Sequence, residues 1–475
     1  LYTTDHAFRT LTPFRTQDGQ TPFAGNIVSA ILPLGNGRYA IGTDRQGLSL
    51  IDAARHSFEP LVTSVEGKDL FVRNLILSHH EVWAATEQGM LVYNLDTHAI
   101  QHFTYNPTDP FSISDNPLYC LYKDREGGLW AGSYFGGLNY LPAIHPVFER
   151  FVPQGSGNGL HGRRVREMVM DKQGRIWIGT EDGGLNCMEP DSETFSHIAA
   201  SNAFPNVHGL CVDGNELWVG TFASGLKVID TRTHQVVKSF KADGRLGSLH
   251  DNTIFSIARS PQGVMYLGTI RGLCTYDANT QSFVYDKAVP PVLINDVSFD
   301  SHGNLWLATQ TNGVFMRHNG RWTNFKATQS GLTSNKALSI FEDSEGTIWV
   351  TTQGGGVCRF NFSTRRFKPL QQGVLNSTST FFRMEEDGDG VLWLSGYAGF
   401  VRYDPHSGDV RTYNNSTMLL DNQFNYNSSL IDKRGRIYFG SLSGIVRFSP
   451  SALKKEQRMP QLVATDLYIG NEHVD

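Results

Sequence analysis

The chain has 475 residues, too many for one small core, and 40% hydrophobic, 18% charged and 11% aromatic residues indicate a folded protein. Lys and Arg number 41 against 46 Asp and Glu, which gives a formal net charge of −5 without any block of like charge. This balance argues against a nucleic-acid-binding surface, and no run of about 18 apolar residues predicts a membrane span. The 48 glycines predict many tight turns between short strands.

The five cysteines are widely separated and lack the close pairing that zinc sites and redox centres require. They are Cys120, Cys187, Cys211, Cys274 and Cys358. We therefore expect buried free thiols, and we expect this region to use no metal and no cofactor.

A repeated segment organises nearly the whole chain. The sequence DKQGRIWIGTEDGGL from Asp171 has similar copies that begin at Asp124, Asp300 and Asp343, and six looser copies are present. The tryptophan position marks the ten copies at Ala40, Trp83, Trp130, Trp177, Trp218, Tyr266, Trp306, Trp349, Trp393 and Tyr438. Their mean spacing is about 44 residues, and such a period is typical of repeat architectures.

Each copy predicts four short antiparallel strands. An alternating apolar strand such as VREMVMD from Val165 comes first, and an Asp-x-x-Gly turn leads into the strand with the tryptophan. One or two glycines open the third strand, and the fourth strand ends on an aromatic residue. These aromatic residues are Phe58, Phe103, Phe148, Phe195, Phe240, Phe283, Phe325, Phe367 and Tyr413. Four such strands every 40 to 50 residues indicate β-propeller blades, and no stretch has the periodicity of a long helix.

The predicted fold class is all-β, with two β-propellers, because one ring usually closes with four to eight blades. We place the boundary between them near Pro146, where two prolines precede a glycine-rich stretch. Residues 1–145 then form three blades of a first, N-terminally incomplete propeller, and 146–452 form a complete seven-bladed ring. Three blades alone would leave an exposed edge strand, so we expect further blades before Leu1.

The signature Gly-x-(Ile/Leu)-Trp-(Ile/Val)-(Gly/Ala)-Thr-x-x-Gly-Gly-(Leu/Val) resembles the two-component regulator propeller repeat. After Pro460, the segment QLVATDLYIGNEHVD is similar to the first strand of the immunoglobulin-like domain that follows the propellers in hybrid two-component sensors of gut Bacteroidetes. Residues 453–475 would then be a linker and that first strand. The family is expected to have fourteen repeats in two seven-bladed rings, and the ten seen here depart from that number.

This resemblance implies a periplasmic sensor region that detects oligosaccharides released from glycans and controls transcription of glycan-utilisation genes. It also implies the ectodomain of an inner-membrane histidine kinase, which forms a homodimer as a full-length receptor. Attachment to the membrane would come only through segments downstream of this chain, and the region itself would not be an enzyme.

Two kinds of loop in a propeller lie on one face and can meet a ligand. The connections that precede each first strand supply the candidates Arg163, Arg164, His208, Asn335, Lys336 and Asn425. The connections between second and third strands supply Phe222, Arg271, Gln353 and Tyr397, together with Tyr134 and Phe135 beside the boundary of the propellers. Aromatic faces and planar polar groups suit an oligosaccharide. The three arginines Arg163, Arg164 and Arg166, together with Arg271 and Lys336, hint at an acidic one.

The tryptophans, in contrast, are expected to pack between blades, because they hold one register in the second strand and small residues follow them. Two other functions stay open. A protein-binding propeller would present a broad apolar face, and a propeller glycosidase would need a pair of converging carboxylates, for which Asp182, Asp251 and Asp296 lie near the right face. No G-x-S-x-G, H-E-x-x-H or phosphate-binding loop occurs, and we predict no catalytic residue.

Overall fold

The structure is a computed structural model that describes residues 1–4, 7, 9–107, 109, 112–142, 148–153, 159–371, 373–375, 378–414, 423–453, 467–469 and 472–474. Nearly all its regular structure is antiparallel β-sheet, which confirms the all-β class. The chain divides into two compact units, Leu1–Pro146 and Val147–Asp475, called unit 1 and unit 2 below.

Unit 1 contains three repeat sheets and two small hairpins. The first hairpin is β1 (Tyr2–Thr4) with β2 (Leu11–Pro13), and the first repeat sheet is β3 (Val28–Gly35), β4 (Arg38–Thr43), β5 (Leu48–Asp52) and β6 (Ser57–Val62). After the hairpin of β7 (Ser64–Val65) and β8 (Lys68–Asp69), the second repeat sheet is β9 (Val72–Ser78), β10 (Glu81–Thr86), β11 (Gly89–Asn94) and β12 (Ile100–Phe103). The third sheet has three described strands, β13 (Leu118–Lys123), β14 (Leu129–Ser133) and β15 (Leu138–Leu141).

Unit 2 contains seven four-stranded sheets, and six of them take their strands in chain order. The first two are β17 (Val165–Met170), β18 (Ile176–Thr180), β19 (Gly184–Glu189) and β20 (Thr194–His197), then β21 (Val207–Asp213), β22 (Glu216–Thr221), β23 (Leu226–Asp230) and β24 (Val236–Phe240). The next two are β25 (Ile254–Arg259), β26 (Met265–Thr269), β27 (Gly272–Asp277) and β28 (Ser282–Tyr285), then β29 (Ile294–Phe299), β30 (Leu305–Thr309), β31 (Val314–His318) and β32 (Arg321–Phe325). The last two of the six are β33 (Ala337–Glu342), β34 (Ile348–Thr352), β35 (Gly356–Asn361) and β36 (Arg366–Pro369), then β37 (Phe381–Glu386), β38 (Leu392–Gly396), β39 (Gly399–Tyr403) and β40 (Val410–Tyr413).

The seventh sheet of unit 2 joins strands from both ends of the unit. Its inner strands are β41 (Phe424–Ile431), β42 (Ile437–Ser441) and β43 (Ile445–Phe448), and its outer strand is β16 (Glu149–Phe151). The first strand of every sheet contacts the first strands of both neighbouring sheets, including β17 against β41, so the seven sheets form a closed ring. This closure covers the edge of β43, which would otherwise be free to pair with another chain.

The closure corrects one expectation from the sequence. Phe148, which we predicted to end the fourth strand of the third repeat, precedes β16 and packs against Phe400 and Phe448 in the ring. That prediction is wrong because the strand after Phe148, β16, is the fourth strand of the last sheet of unit 2. It pairs there with the edge of β43.

The repeated aspartate and tryptophan are joined by a hydrogen bond within each well-matched copy. Asp171 accepts the backbone N–H of Arg175 at 3.0 Å with one oxygen, and its other oxygen accepts the indole N–H of Trp177 at 2.9 Å. The same bond to the tryptophan occurs from Asp124 to Trp130, Asp300 to Trp306, Asp343 to Trp349 and Asp387 to Trp393. The aspartate therefore orients the tryptophan as well as the turn.

Six of the seven repeat tryptophans are buried between sheets, as predicted, and the seventh is not. Trp130 is 36% exposed, because among the described residues of unit 1 no further sheet follows β13–β15 to cover it. The cysteines divide in a similar way, with Cys120 exposed in that sheet while Cys187, Cys274 and Cys358 are buried and Cys211 is half-buried. The expectation of buried thiols is thus wrong for Cys120.

The helical elements are single turns, α1 (Ala327–Ser330) and α2 (Pro450–Leu453), and the 3-10 turns Ala199–Ala203 and Gly373–Leu375. No helix in the described ranges is long and apolar enough to cross a membrane. After the ring, β44 (Leu467–Ile469) and β45 (Glu472–Val474) pair as a hairpin, while 454–466 lie outside the described residues. The immunoglobulin-like strand at 453–475 stays a prediction.

Candidate functional site

The first strand of each sheet in unit 2 contains a β-bulge near its start, and these bulges define the candidate site. In six sheets the register shifts by one residue after the first position of the strand, and the seventh strand has a longer bulge between Phe424 and Ser429. The extra residues are Arg166, His208, Phe255, Asn295, Leu338, Phe382 and 425–428. A bulge re-aims a side chain that would otherwise alternate with its neighbours along the strand.

Contacts between sheets that are not neighbours show that these bulges meet across the ring. The Arg166 guanidinium carbon lies 5.7 Å from the ring centre of Phe255, two sheets away. The Asn427 side-chain N–H₂ donates to the carbonyl oxygen of Asn295 at 2.9 Å, from the seventh sheet of the unit to its fourth. We call the group formed by Arg166, Glu181, His208, Phe222, Phe255, Phe382, Tyr397, Asn425 and Tyr426 the axial cluster.

Arg166 is the central residue of the axial cluster and is only 4% exposed. Its Nε donates to Nδ1 of His208 at 3.2 Å, and its Nη1 donates to Oδ1 of Asn425 at 3.4 Å. Its guanidinium also lies 4.8 Å from the ring centre of Tyr426, within the range of a cation–π interaction. The nearest carboxylate oxygen is that of Glu181, 3.8 Å from Nε, which is longer than a hydrogen bond.

His208 is neutral in this setting. Burial, together with the positive charge of Arg166, lowers the pKa of His208 to about 3. Because Nδ1 accepts the hydrogen bond from Arg166, the ring proton resides on Nε2. His208 can thus donate one hydrogen bond to a ligand without carrying a charge.

Asn425 holds the clearest unsatisfied group of the cluster. The residue is 4% exposed, and its Oδ1 accepts the backbone N–H of Tyr426 at 2.8 Å as well as the Arg166 bond. Its Nδ2 is buried and has no hydrogen-bond partner among the described residues. An unpaired buried donor costs about 1–3 kcal/mol, and native structures retain few of them without a reason.

Aromatic side chains form the outer wall of the axial cluster. Phe222 and Tyr397 are about half exposed, and the hydroxyl of Tyr397 lies 3.4 Å from that of Tyr426. The ring of Phe382 contacts both tyrosines, with centroid distances of 4.7 and 4.6 Å. Burial raises the pKa of Tyr426 to about 12, so its hydroxyl remains protonated and can donate.

A cavity of about 330 Å³ is lined by residues of the first strands β17, β21, β25, β29 and β37. Arg383 Nη1 donates to Asp296 Oδ2 at 3.0 Å in this lining, and the same oxygen accepts the backbone N–H of Ile340 at 2.9 Å. Glu167 faces the cavity and is buried, which raises the pKa of its carboxyl well above the ordinary value. The described residues contain no group of three or more side chains suited to a metal ion.

The structure brings together four of the twelve predicted site residues, namely His208, Phe222, Tyr397 and Asn425. Arg163 and Arg164 are exposed at the edge of this face, and their backbone N–H groups both donate to Oδ1 of Asp182 at 2.9 and 3.1 Å. Arg271 is paired with Asp251 at 3.4 Å. These contacts hold the loops in place and leave the arginine side chains of 163 and 164 at the rim.

The other predicted residues show no convergence with the cluster. Asn335 accepts the backbone N–H of Ala327 at 2.8 Å, which is a structural bond within its loop. Lys336 is exposed, and its carbonyl accepts the N–H of Gln353 at 2.9 Å. Tyr134 and Phe135 belong to unit 1, where both are exposed. The ligand-binding roles of all twelve residues stay predictions.

Sequence reasoning missed Phe255, Phe382 and Tyr426, and it counted Arg166 only among the arginines that hint at an acidic ligand, because it drew its site residues from the loops. A usable signal was present at Arg166, since a charged residue interrupts the apolar strand VREMVMD. The missing information was the bulge in β17 itself, because its position depends on how β17 pairs with β18.

Comparison with known proteins agrees with the repeat pattern. Residues 112–135, 159–182 and 331–354 match the two-component regulator propeller family. A histidine kinase of Formosa agariphila is 25% identical over 283 residues, which cover 57% of this chain and 21% of that protein. The chain therefore spans about a fifth of the length of this curated relative.

Two solved structures show the same fold. The extracellular domain of a hybrid two-component system of B. thetaiotaomicron aligns with 100% of this chain and 70% of its own, at 20% identity and a TM-score of 0.63. A streptogramin B lyase aligns over 63% of this chain and 96% of its own, at 12% identity and a TM-score of 0.50. Three segments of the chain thus match the two-component regulator propeller family, and the sheet architecture is that of a β-propeller.

Proposed function

We propose that this chain is the periplasmic ligand-sensing region of a hybrid two-component regulator, and that its ligand is an oligosaccharide released from a glycan. The observation that carries the proposal is the axial cluster of the closed ring. There the buried side-chain nitrogen Nδ2 of Asn425 has no hydrogen-bond partner among the described residues. A ligand oxygen at this place would accept the missing hydrogen bond. A channel with only a structural role would have no need of an unpaired donor.

The composition of the axial cluster suits a sugar. Phe222 and Tyr397 offer exposed aromatic faces, which pack against the C–H surface of a pyranose ring. The neutral His208 and the protonated Tyr426 add donors for sugar hydroxyls. Polar groups that fix orientation beside apolar walls are the usual composition of a small-molecule site.

The proposed output is control of glycan-utilisation genes by a full-length histidine kinase that works as a homodimer and is anchored in the inner membrane outside this chain. A ligand can drive such a change only by binding one arrangement of the receptor better than another. We propose no catalysis by this region. Asp296, which a glycosidase would need as a free carboxylate, is engaged by Arg383 and by a backbone N–H.

The test is the melting temperature of the chain with a panel of defined oligosaccharides, followed by calorimetric titration of those that raise it. Ligand at 100 times its Kd should add about 2.7 kcal/mol to the free energy of unfolding. Phe222→Ala should weaken binding at least about tenfold, as expected when a well-packed aromatic contact is removed. Phe362→Ala is the matched control, because Phe362 is a half-exposed phenylalanine between β35 and β36, outside the axial cluster.

Two outcomes would redirect the proposal. If Phe135→Ala abolishes binding and Phe222→Ala does not, the ligand binds unit 1 and the axial site is wrong. Formation of a shorter or unsaturated sugar during incubation would show that the region is an enzyme, and the sensor proposal would be wrong.

A protein-binding propeller is the second candidate, and exposed aromatic residues on unit 1 favour it. Tyr119 and Tyr134 stack with centroids 5.2 Å apart, and Phe135 lies beside them with 85% of its surface exposed. Such a contiguous patch is typical of interaction sites. Absence of any melting shift across the oligosaccharide panel, with capture of a defined protein that Phe135→Ala abolishes, would support this candidate instead.

A further inference from the structure

We infer that the ligand of the axial cluster carries an anionic group, a carboxylate or a sulfate, and that Arg166 and Asn425 receive this group. The inference rests on the proposed function, since it assigns the chemical class of the ligand to the same site. It sharpens the hint from the sequence, in which Arg166 was one of five cationic residues, because here the buried Arg166 and not the exposed cations recognises the anion.

Arg166 and Asn425 each have one donor without a hydrogen-bond partner among the described residues. Nη2 of Arg166 makes no hydrogen bond to any residue that the structure describes, and Nδ2 of Asn425 likewise has no partner. The two side chains are linked by the bond from Arg166 Nη1 to Asn425 Oδ1 at 3.4 Å, so the free donors belong to side chains in contact. A carboxylate or sulfate accepts hydrogen bonds without donating any, and it can therefore satisfy both at once.

The charge of Arg166 also lacks a hydrogen-bonded carboxylate among the described residues. Its direct hydrogen bonds go to a neutral imidazole and to a neutral amide, and the Glu181 carboxylate is 3.8 Å from Nε. Glu167, the next residue, is buried with a raised pKa, which favours its uncharged form. Buried charges normally have a hydrogen-bonded counter-ion, and an anionic ligand would complete this site with charge-assisted bonds.

The surroundings favour entry of an anion although the chain as a whole is negative. Arg163, Arg164 and Lys336 are exposed on the loops of the same face, and Arg271 is neutralised by Asp251. Two acidic residues, Glu181 and Asp182, oppose these cations in charge. Asp182 accepts the backbone N–H groups of Arg163 and Arg164. With Arg166 included, the four cations exceed these two acids by two positive charges, and this local excess attracts anions.

The experiment compares matched ligands on the same protein by calorimetric titration. Uronate-containing oligosaccharides of several linkages are each tested beside their carboxyl-reduced forms, and sulfated oligosaccharides are tested beside desulfated ones. We expect an anionic member to bind at least about tenfold more tightly than its neutral partner, with affinity that falls as salt rises. The pair that shows the preference distinguishes a carboxylate from a sulfate.

Two variants test the assignment to Arg166. Arg166→Gln should remove the preference for the anion, whereas Arg232→Gln, at an exposed arginine paired with Asp230 between β23 and β24, should keep it. Asn425→Asp places a carboxylate beside the guanidinium, so it should raise the melting temperature and abolish binding of the anionic ligand. This second variant remains informative if Arg166→Gln fails to fold.

The outcomes separate this inference from the proposed function. Equal affinity for the neutral and anionic members of every pair, with loss of both in Phe222→Ala, overturns the anionic ligand and leaves the sensor site intact. An anionic preference that survives Arg166→Gln or Asn425→Asp overturns the role of these residues. If no oligosaccharide of either class binds, the proposed function fails and this inference fails with it.

Discussion

Trp130 in unit 1 and Trp177 in unit 2 occupy the same position of the repeat but differ in their surroundings. Both donate their indole N–H to the aspartate six residues earlier, at 3.0 and 2.9 Å. Trp130 is 36% exposed, whereas Trp177 is fully buried in one cluster with Val207 of the following sheet and Phe204 of the connection that leads to it. The comparison shows that the repeat builds the turn and its hydrogen bond locally, and that burial is supplied by the next sheet.

The largest effect should come from opening the ring of unit 2. A fragment of residues 147–453 should melt cooperatively, because β16 covers the edge of β43. A fragment of residues 152–453 lacks β16 and Phe148, and it should lose at least about 3–5 kcal/mol, the cost of truncating one buried phenylalanine. Equal melting temperatures for the two fragments would show that closure through β16 does not stabilise the ring.

The next effect concerns the two tryptophans themselves. Trp177→Ala should cost about 3–5 kcal/mol, since it leaves a cavity between two sheets. Trp130→Ala should cost much less, because a third of that side chain is already in water. Denaturant unfolding of both variants measures the difference. A similar loss for both would mean that Trp130 is covered in solution and would break the comparison.

The closed channel should also make the stability of unit 2 depend on pH. His208 has a pKa of about 3 when folded against about 6.5 when unfolded, so the unfolded state takes up a proton first as the pH falls. Its stabilising contribution is complete above about pH 6.5 and is lost towards pH 3, by up to about 1.4 kcal/mol per pH unit. His208→Gln should flatten this part of the curve of unfolding free energy against pH. His302→Gln, at an exposed histidine of the same unit, is the control and should leave the slope unchanged.

The smallest effect should come from the turn aspartates. Asp171→Ala removes the acceptor for the buried Trp177 indole and should cost about 1–3 kcal/mol, because a buried donor is left unpaired. Asp124→Ala affects an exposed bond to Trp130, where water replaces the lost acceptor, and the loss should be smaller. Chemical denaturation of the two variants measures both losses of unfolding free energy. A larger loss for Asp124→Ala than for Asp171→Ala would contradict the role assigned to burial.

Much of the fold follows from short-range patterns in the sequence. The turn aspartate, the tryptophan and the glycines recur with a constant spacing, and each copy folds into a sheet whose strands are neighbours in the chain. The pattern failed at Phe148, because an aromatic residue in an outer strand does not reveal which sheet it completes. Pairing of β16 with β43 joins residues about 300 positions apart, and no local signal encodes it.

The candidate site was predictable only in part. His208, Phe222, Tyr397 and Asn425 were accessible to loop-based reasoning because they lie at or next to connections on one face. Arg166 was not, since regular alternation assigns it to one face of a strand and the bulge changes that assignment. Its partners lie on strands β21, β25 and β41, which become neighbours only when the ring closes.

By itself, the sequence determined the repeat, its four strands, the turn chemistry and the all-β class, because these depend on side-chain period and on residues a few positions apart. Tertiary structure alone decided which tryptophans are buried, which strand completes the last sheet and which side chains meet on the axis. The physical reason is that burial and convergence depend on sheets that are distant in the chain. Arg166 acquires its imidazole neighbour from the next sheet, but it acquires its amide and tyrosine neighbours on β41 only through closure of the ring.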